Sequence, residues 1–129
     1  MIVGIGVDVT PVDRIRKAYE RHGTRLLERL FHPGEISRPV LPAEPFFEHV
    51  AGRFASKEAA MKALGTGWGR GVGWKDFRVV RPRGSAPTLE LERQAASLAA
   101  AAGVSKIHLT ITHGGGIAVA VVILEKEAA

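Results

Sequence analysis

The chain contains no cysteine, so it forms no disulfide and offers neither a thiol nucleophile nor a thiolate ligand. A cytosolic location is compatible with that composition. Aromatic residues are scarce, at 6%. Only Phe77 falls in an expected strand with basic neighbours, which is too little for an aromatic platform that stacks RNA bases. No apolar run approaches the roughly 18 residues of a membrane span. The apolar stretch from Ile117 to Leu124 is too short and reads as a buried strand. No basic segment precedes the first apolar run, MIVGIGVDVT, so no signal peptide is expected. Acidic residues are outnumbered, 13 against 18 basic, for a net charge of +5. That excess favours an anionic partner and leaves phosphates, acidic proteins and RNA open. A length of 129 residues, with no repeat or boundary visible, predicts one domain over 1–129 with one modest core.

Glycine is plentiful and unevenly placed. Residues Ile2 to Val9 alternate as a strand. Val3, Ile5 and Val7 point one way and are expected on a core. Gly4, Gly6 and Asp8 point the other way, a face open to close approach by another backbone or a ligand. Thr10-Pro11 is expected to cap and open a helix with an apolar face of Val12, Ile15, Ala18 and Tyr19. Gly23-Thr24 breaks it before a short helix from Arg25 to Leu30. The basic residues here, Arg14, Arg21 and Arg25 among them, read either as an ordinary solvated surface or as a docking patch for an acidic partner.

A turn at Phe31 to Glu35 and an irregular segment holding Pro39, Pro42 and Pro45 come next. A long helix then runs from about Glu44 to Leu64, alanine-rich and ended by Gly65 as a C-cap. The loop that follows has glycine at positions 65, 67, 69, 71 and 73. It follows a helix and not a strand, and no Gly-Lys-Ser/Thr closes it, so it is neither a dinucleotide turn nor a Walker loop. Strands are expected at Trp74–Val80, Thr88–Leu91, Lys106–Thr112 and Ile117–Glu125, with a helix from Arg93 to Ala102. His113-Gly-Gly-Gly116 is the expected hairpin. The tail from Lys126 is expected to fray. Together these elements predict an α+β fold, a mostly antiparallel sheet packed on a long central helix.

Glu58 and Lys62 lie four apart on one helix face. They read as a simple helix ion pair, or as part of a site at the edge of the packed face that begins with Phe54. Asp8 brings a second carboxylate from far away in the chain. Two converging carboxylates resemble an oxygen-ligand Mg²⁺ site, which takes one or two carboxylates, waters and substrate phosphate oxygens. A metal-free salt-bridge network is the plainer alternative. No histidine pair resembles a zinc site. Arg53 and Lys57 form a positive strip suited to phosphate or to solvent. His113, beside the glycine turn, is available for phosphate contact or is merely a satisfied polar residue.

Two motifs carry a resemblance that spans nearly the whole chain. The first is Gly4-Ile-Gly-Val-Asp8 followed by Arg14-Ile15. The second is Arg53-Phe-Ala-Ser-Lys57-Glu58-Ala, continuing through Lys62-Ala-Leu-Gly-Thr-Gly67. In this order they resemble the holo-acyl-carrier-protein synthases, the small type of 4′-phosphopantetheinyl transferase. Phe31, Glu35, the Trp74 strand and the terminal hairpin are similar too. The sequence departs from that pattern at Thr110-Ile-Thr112-His113, at Gly114 and at Gly84-Ser-Ala-Pro87, changes that bear on nucleotide contacts and not on the metal pair.

The resemblance implies transfer of the phosphopantetheine arm of coenzyme A to a serine of apo-acyl carrier protein, releasing adenosine 3′,5′-bisphosphate. It implies Mg²⁺ held by Asp8 and Glu58, and Lys62 near the transferring phosphate. Arg53, Lys57, Gly65, Gly67 and His113 are expected against coenzyme A, and Arg14, Arg21 and Arg25 against the carrier protein. The serine proton is expected to leave through Glu58 or, preferably, a water on the metal. The resemblance also implies a homotrimer with active sites between subunits, in the cytoplasm, with neither nucleic acid nor membrane as partner. A small basic module binding RNA or acidic protein, a structural oligomer subunit and a Mg²⁺-dependent nucleotide hydrolase are the alternatives from other classes.

Overall fold

The structure is a computed structural model and describes residues 1–37, 42–67 and 69–128. Its order is β1 (Ile2–Pro11), α1 (Val12–His22), α2 (Thr24–Leu30), α3 (Glu44–Leu64), a 3₁₀ turn (Trp74–Asp76), β2 (Phe77–Val80), β3 (Thr88–Leu91), α4 (Arg93–Ala101), β4 (Lys106–Gly114) and β5 (Ile117–Glu125). Both sheets are antiparallel, one ordered β1-β5-β4 and the other β2-β3. The expected α+β architecture is present.

Everything packs on α3. A surface helix buries one stripe, but α3 buries residues all round, because the large sheet covers one side and α1, α2 and β2 cover others. Val12, Ile15, Leu27, Leu30 and Phe31 pack on its first half with Phe47, Val50 and Phe54. Phe77, Val79, Leu89 and Ala95 pack on its second half with Ala59, Ala60 and Met61. Pro45 lies in the first turn of α3, where a missing N–H costs nothing, and not in the irregular segment expected for it. Pro39 falls outside the described residues. Gly65 ends the helix in the left-handed conformation, at φ 75° and ψ 16°.

The two faces of β1 are the reverse of the expectation. Val3, Ile5, Val7 and Val9 are exposed, and the glycine face is the one that packs. A Cβ on Gly4 would lie 2.0 Å from the carbonyl oxygen of Ala63, and one on Gly6 1.9 Å from that of Ala59. The backbone of α3 thus rests directly on the strand. Opposite Gly4, Gly6, Asp8 and Thr10 stand Leu124, Val122, Ala120 and Ala118 of β5, all buried under the same helix.

Three boundaries also shift. Thr10-Pro11 does not open the first helix: β1 runs on through Pro11, and Thr10 turns its hydroxyl to Asp8. Trp74 to Asp76 form a 3₁₀ turn, so β2 starts at Phe77. The terminal hairpin turns on two residues, not three. Gly114 pairs with Ile117, and Gly115 and Gly116 adopt φ 59° and 80°, as a tight hairpin turn requires. His113 therefore belongs to the strand. In the tail, the Lys126 N–H donates to the Met1 carbonyl.

Candidate active site

The contact between glycine face and helix decides what meets beyond it. Ala59 and Ala63 sit on Gly6 and Gly4, so their neighbours in sequence, Glu58 and Lys62, reach the end of the strand where Asp8 stands. Lys62 Nζ donates to Asp8 Oδ1 at 3.1 Å and to the Val7 carbonyl at 3.0 Å. The i,i+4 pairing with Glu58 is not what holds Lys62. Asp8 Oδ2 accepts from the Thr10 hydroxyl at 2.7 Å. Among the described residues, Glu58 has no hydrogen-bond or ion-pair partner. Its carboxyl is pushed above the ordinary carboxylate range, first by partial burial and then by the nearby charge of Asp8. Lys62 and Arg14 pull the other way. Two carboxylates and one ammonium thus share this edge of the helix, as the motifs suggested.

Arg14 is nearer to this cluster than its docking assignment implied. Its guanidinium lies 5.6 Å from the centre of the Phe54 ring, one turn before Glu58. Arg14, Lys17 and Arg21 line one exposed basic groove on α1. Arg25 is exposed on α2 and does not line that groove.

Lys57 corrects the expectation of a phosphate contact. It is fully buried, and its ammonium donates to Glu35 Oε1 at 2.9 Å, to the Leu30 carbonyl at 2.8 Å and to the Trp74 carbonyl at 3.3 Å. It also lies over the Phe31 ring. Glu35 in turn accepts the backbone N–H groups of His32 and Val79. Burial lowers the Lys57 pKa, while its hydrogen bond to Glu35 opposes that shift. Lys57 therefore ties α2, α3 and β2 together and is not available to a ligand.

Arg53 lines a separate cleft of about 350 Å³ together with Arg78, Arg81 and Glu35. Arg53 is 8% exposed, and its buried Nε has no partner among the described residues. Burial, and then the charge of Arg81, hold its guanidinium below the ordinary value. His49 lies one turn earlier on α3. Its imidazole is held down by partial desolvation and by the charges of Arg53 and Arg81. This cleft has the makings of an anion site. His113 is elsewhere: its Nδ1 lies 3.1 Å from Glu48 Oε2, and Glu48 is ten positions before Glu58 on α3. Within one chain, then, Asp8, Glu58 and Lys62 come together, while Arg53 and His113 lie away from them. Gly65 and Gly67 hold positive φ with open space beside them, directly after Lys62.

Sequence reasoning missed Thr10, Arg81 and His49. Thr10 shares the strand face of Asp8 two residues on, and that spacing was a usable signal. Arg81 is brought to Arg53 and His49 only through the packing of β2 on α3.

The sequence profile of the 4′-phosphopantetheinyl transferase superfamily matches residues 4–122. The chain belongs to this superfamily. Among its relatives is a holo-[acyl-carrier-protein] synthase of Solibacter usitatus, 50% identical over 125 residues, 97% of this chain and 99% of that protein. Another, from Nitratidesulfovibrio vulgaris, is 50% identical over 126 residues, 97% of this chain and 99% of that protein. A crystal structure of the Bacillus anthracis holo-(acyl-carrier-protein) synthase in complex with CoA (3′,5′-ADP) superposes with a TM-score of 0.78 at 36% identity, covering 98% of this chain and 99% of that one. The Helicobacter pylori enzyme in complex with coenzyme A gives a TM-score of 0.78 at 29% identity, covering 94% of this chain and 99% of that one. The phosphopantetheinyl transferase fold is thus this chain's fold.

Proposed function

We propose that this chain, as one domain over residues 1–129, transfers the 4′-phosphopantetheine group of coenzyme A to a serine of an apo-acyl carrier protein, leaving adenosine 3′,5′-bisphosphate. The observation that carries the reading at the level of residues is the meeting of Asp8 and Glu58, from β1 and α3, with Lys62 beside them. The donor set fits Mg²⁺. It has two carboxylates and no sulfur or histidine, and among the described residues no third acid or histidine joins them. Bound there, Mg²⁺ would supply positive charge to the pyrophosphate oxygens as the phosphoryl group moves.

The chain's own side chains take distinct parts. Asp8 and Glu58 would hold the cation. Lys62, on an exposed and flexible stem, exchanges Asp8 for the phosphate as ligand arrives and adds charge where it develops. The serine proton leaves towards Glu58, either onto its carboxylate or onto water that it holds. Gly65 and Gly67, with no side chain and open space beside them, leave room for the ligand just beyond Lys62. Arg53, with Arg81 lining the same cleft, takes a nucleotide phosphate; an anion there would relieve the repulsion between the two guanidinium groups. The groove of Arg14 and Arg21, extended by Arg25 on α2, receives the acidic carrier protein.

The exposed face of β1 completes the reading. Val3, Ile5, Val7 and Val9 form an unbroken apolar stripe, with Val119, Val121 and Ile123 of β5 opposite. A stripe of that kind on a small chain marks an association surface. Self-association into a homotrimer, with active sites between subunits, would cover it. A cytoplasmic location accompanies this reading, and no helix among the described residues is long and apolar enough to cross a membrane.

The deciding experiment is the intact mass of an apo-carrier protein after incubation with the enzyme, coenzyme A and Mg²⁺. A gain of one phosphopantetheine group, lost without metal and lost in Glu58→Gln, is expected. Transfer at the wild-type rate by Glu58→Gln removes that residue from the site. Cleavage of coenzyme A with no acceptor modified points instead to a hydrolase.

A further inference from the structure

We infer that Thr10 is a positioning residue for Asp8, acting through its hydroxyl on the acid's ability to hold a divalent cation; this rests on the Mg²⁺ reading above. Thr10 Oγ1 lies 2.7 Å from Asp8 Oδ2. Thr10 itself is 0% exposed, so its single O–H has no water to turn to and is committed to the carboxylate. The two residues are two apart on one strand face, which points both side chains under α3.

The other contacts of Asp8 show why this one matters. Its second oxygen is held by Lys62, whose side chain is half-exposed and whose ammonium is needed at the phosphate once substrate is present. When Lys62 leaves, Thr10 is the side-chain contact that stays. An aspartate has a broad terminal torsion, so a carboxylate held at neither oxygen turns freely. A threonine, branched at Cβ and buried, is stiff. It therefore fixes the plane of the carboxylate while adding no positive charge to compete with a cation. Partners of this kind, behind a metal-binding group, typically change metal affinity or activity by about 10–100-fold when removed. A buried hydroxyl that merely found the nearest acceptor would predict no such effect.

The test compares Thr10→Val, which keeps the shape and loses the hydroxyl, with Thr10→Ser, which keeps the hydroxyl. Mn²⁺ binding to each protein with coenzyme A present is read by electron paramagnetic resonance, alongside the Mg²⁺ dependence of transfer. Thr10→Val is expected to weaken Mn²⁺ binding by at least about tenfold and to raise the half-saturating Mg²⁺ by a similar factor. Its rate at saturating Mg²⁺ and its KM for coenzyme A should stay near those of the wild type, and Thr10→Ser should restore tight binding. Wild-type Mn²⁺ affinity in Thr10→Val overturns the inference, as does a Thr10→Ser protein as weak as Thr10→Val. If the valine variant does not fold, Thr10→Ser against Thr10→Ala isolates the same hydroxyl. Asp8→Asn is measured in parallel. If it too leaves Mn²⁺ binding unchanged, the metal reading itself falls; if only the Thr10 variants are unchanged, the metal site stands and Thr10 has no part in it.

Discussion

Replacing Gly6 by alanine tests the contact on which the acid cluster depends. The added Cβ would sit 1.9 Å from the carbonyl oxygen of Ala59 and 2.7 Å from the backbone nitrogen of Ala63. Both neighbours are backbone in the middle of α3, so no side chain can swing aside. An ordinary carbon–oxygen approach is about 3.3 Å. To reach it, the strand and the helix must separate by roughly 1.4 Å. Overpacking of this kind costs about 1–3 kcal/mol of stability. The effect on function should be larger, because Glu58 and Lys62 ride on the helix and Asp8 on the strand. A misplacement of about 1 Å between reacting groups costs on the order of 100-fold in rate. The assay is transfer to carrier protein at saturating Mg²⁺ and coenzyme A, with urea unfolding on the same samples. Gly114→Ala is the control, since a Cβ there meets nothing within 4 Å. A Gly6→Ala enzyme that unfolds and turns over like the wild type would refute the claim that backbone contact sets the spacing of the acids.

Other expectations follow from the same geometry. Lys57→Met strands the Glu35 carboxylate in the interior and should cost about 3–5 kcal/mol in denaturant unfolding, part of it recovered in the double variant with Glu35→Gln. The His49 imidazole should titrate by NMR below the usual value of about 6.5, rise on Arg81→Ala, and rise again when coenzyme A neutralises the cleft. Its folded-state proton affinity is depressed, so its contribution to stability is full above the ordinary imidazole pKa and is lost as pH falls through the depressed one; His49→Gln should flatten that acid loss. The ring is exposed, so the melt will move little and the NMR titration is the stronger measurement. Arg14→Glu should raise the KM for carrier protein far more than that for coenzyme A, and equal effects would move Arg14 from docking to the cluster beside Phe54.

Much of this fold was legible because its signals are local. The bounds of α3 follow from its alanines and from Gly65 at its end, and the structure places them at Glu44 and Leu64, with Pro45 in the first turn and not in the irregular segment before it. The face of β1 was misjudged because alternation tells two faces apart without saying which is covered. Valines usually mark the core, yet here the bare face accepts a helix backbone that no side chain announces. His113 was placed in the turn because three glycines follow it, whereas the first of them is still paired to Ile117. Lys57 reads as a surface charge until Glu35, 22 residues earlier, is folded against it. Local pattern carries no record of such a partner. Asp8, Glu58 and Lys62 were found because strand end and helix face each have a period. Arg81 escaped because only the docking of β2 brings it to Arg53, and His49, although one turn before Arg53 on α3, acquires its charged surroundings only when Arg81 arrives.

The interior ion pair of Lys57 has a consequence for the residue next to it. Successive side chains on a helix diverge by about 100°. With the ammonium of Lys57 keyed into three acceptors on one flank, the angular setting of α3 is locked, and Glu58 is left no choice of direction but towards the strand. Rolling the helix by one residue would drag an ammonium out of its socket before it could re-aim the acid. The lysine that touches no ligand thus acts as the dowel that keeps its neighbour on target.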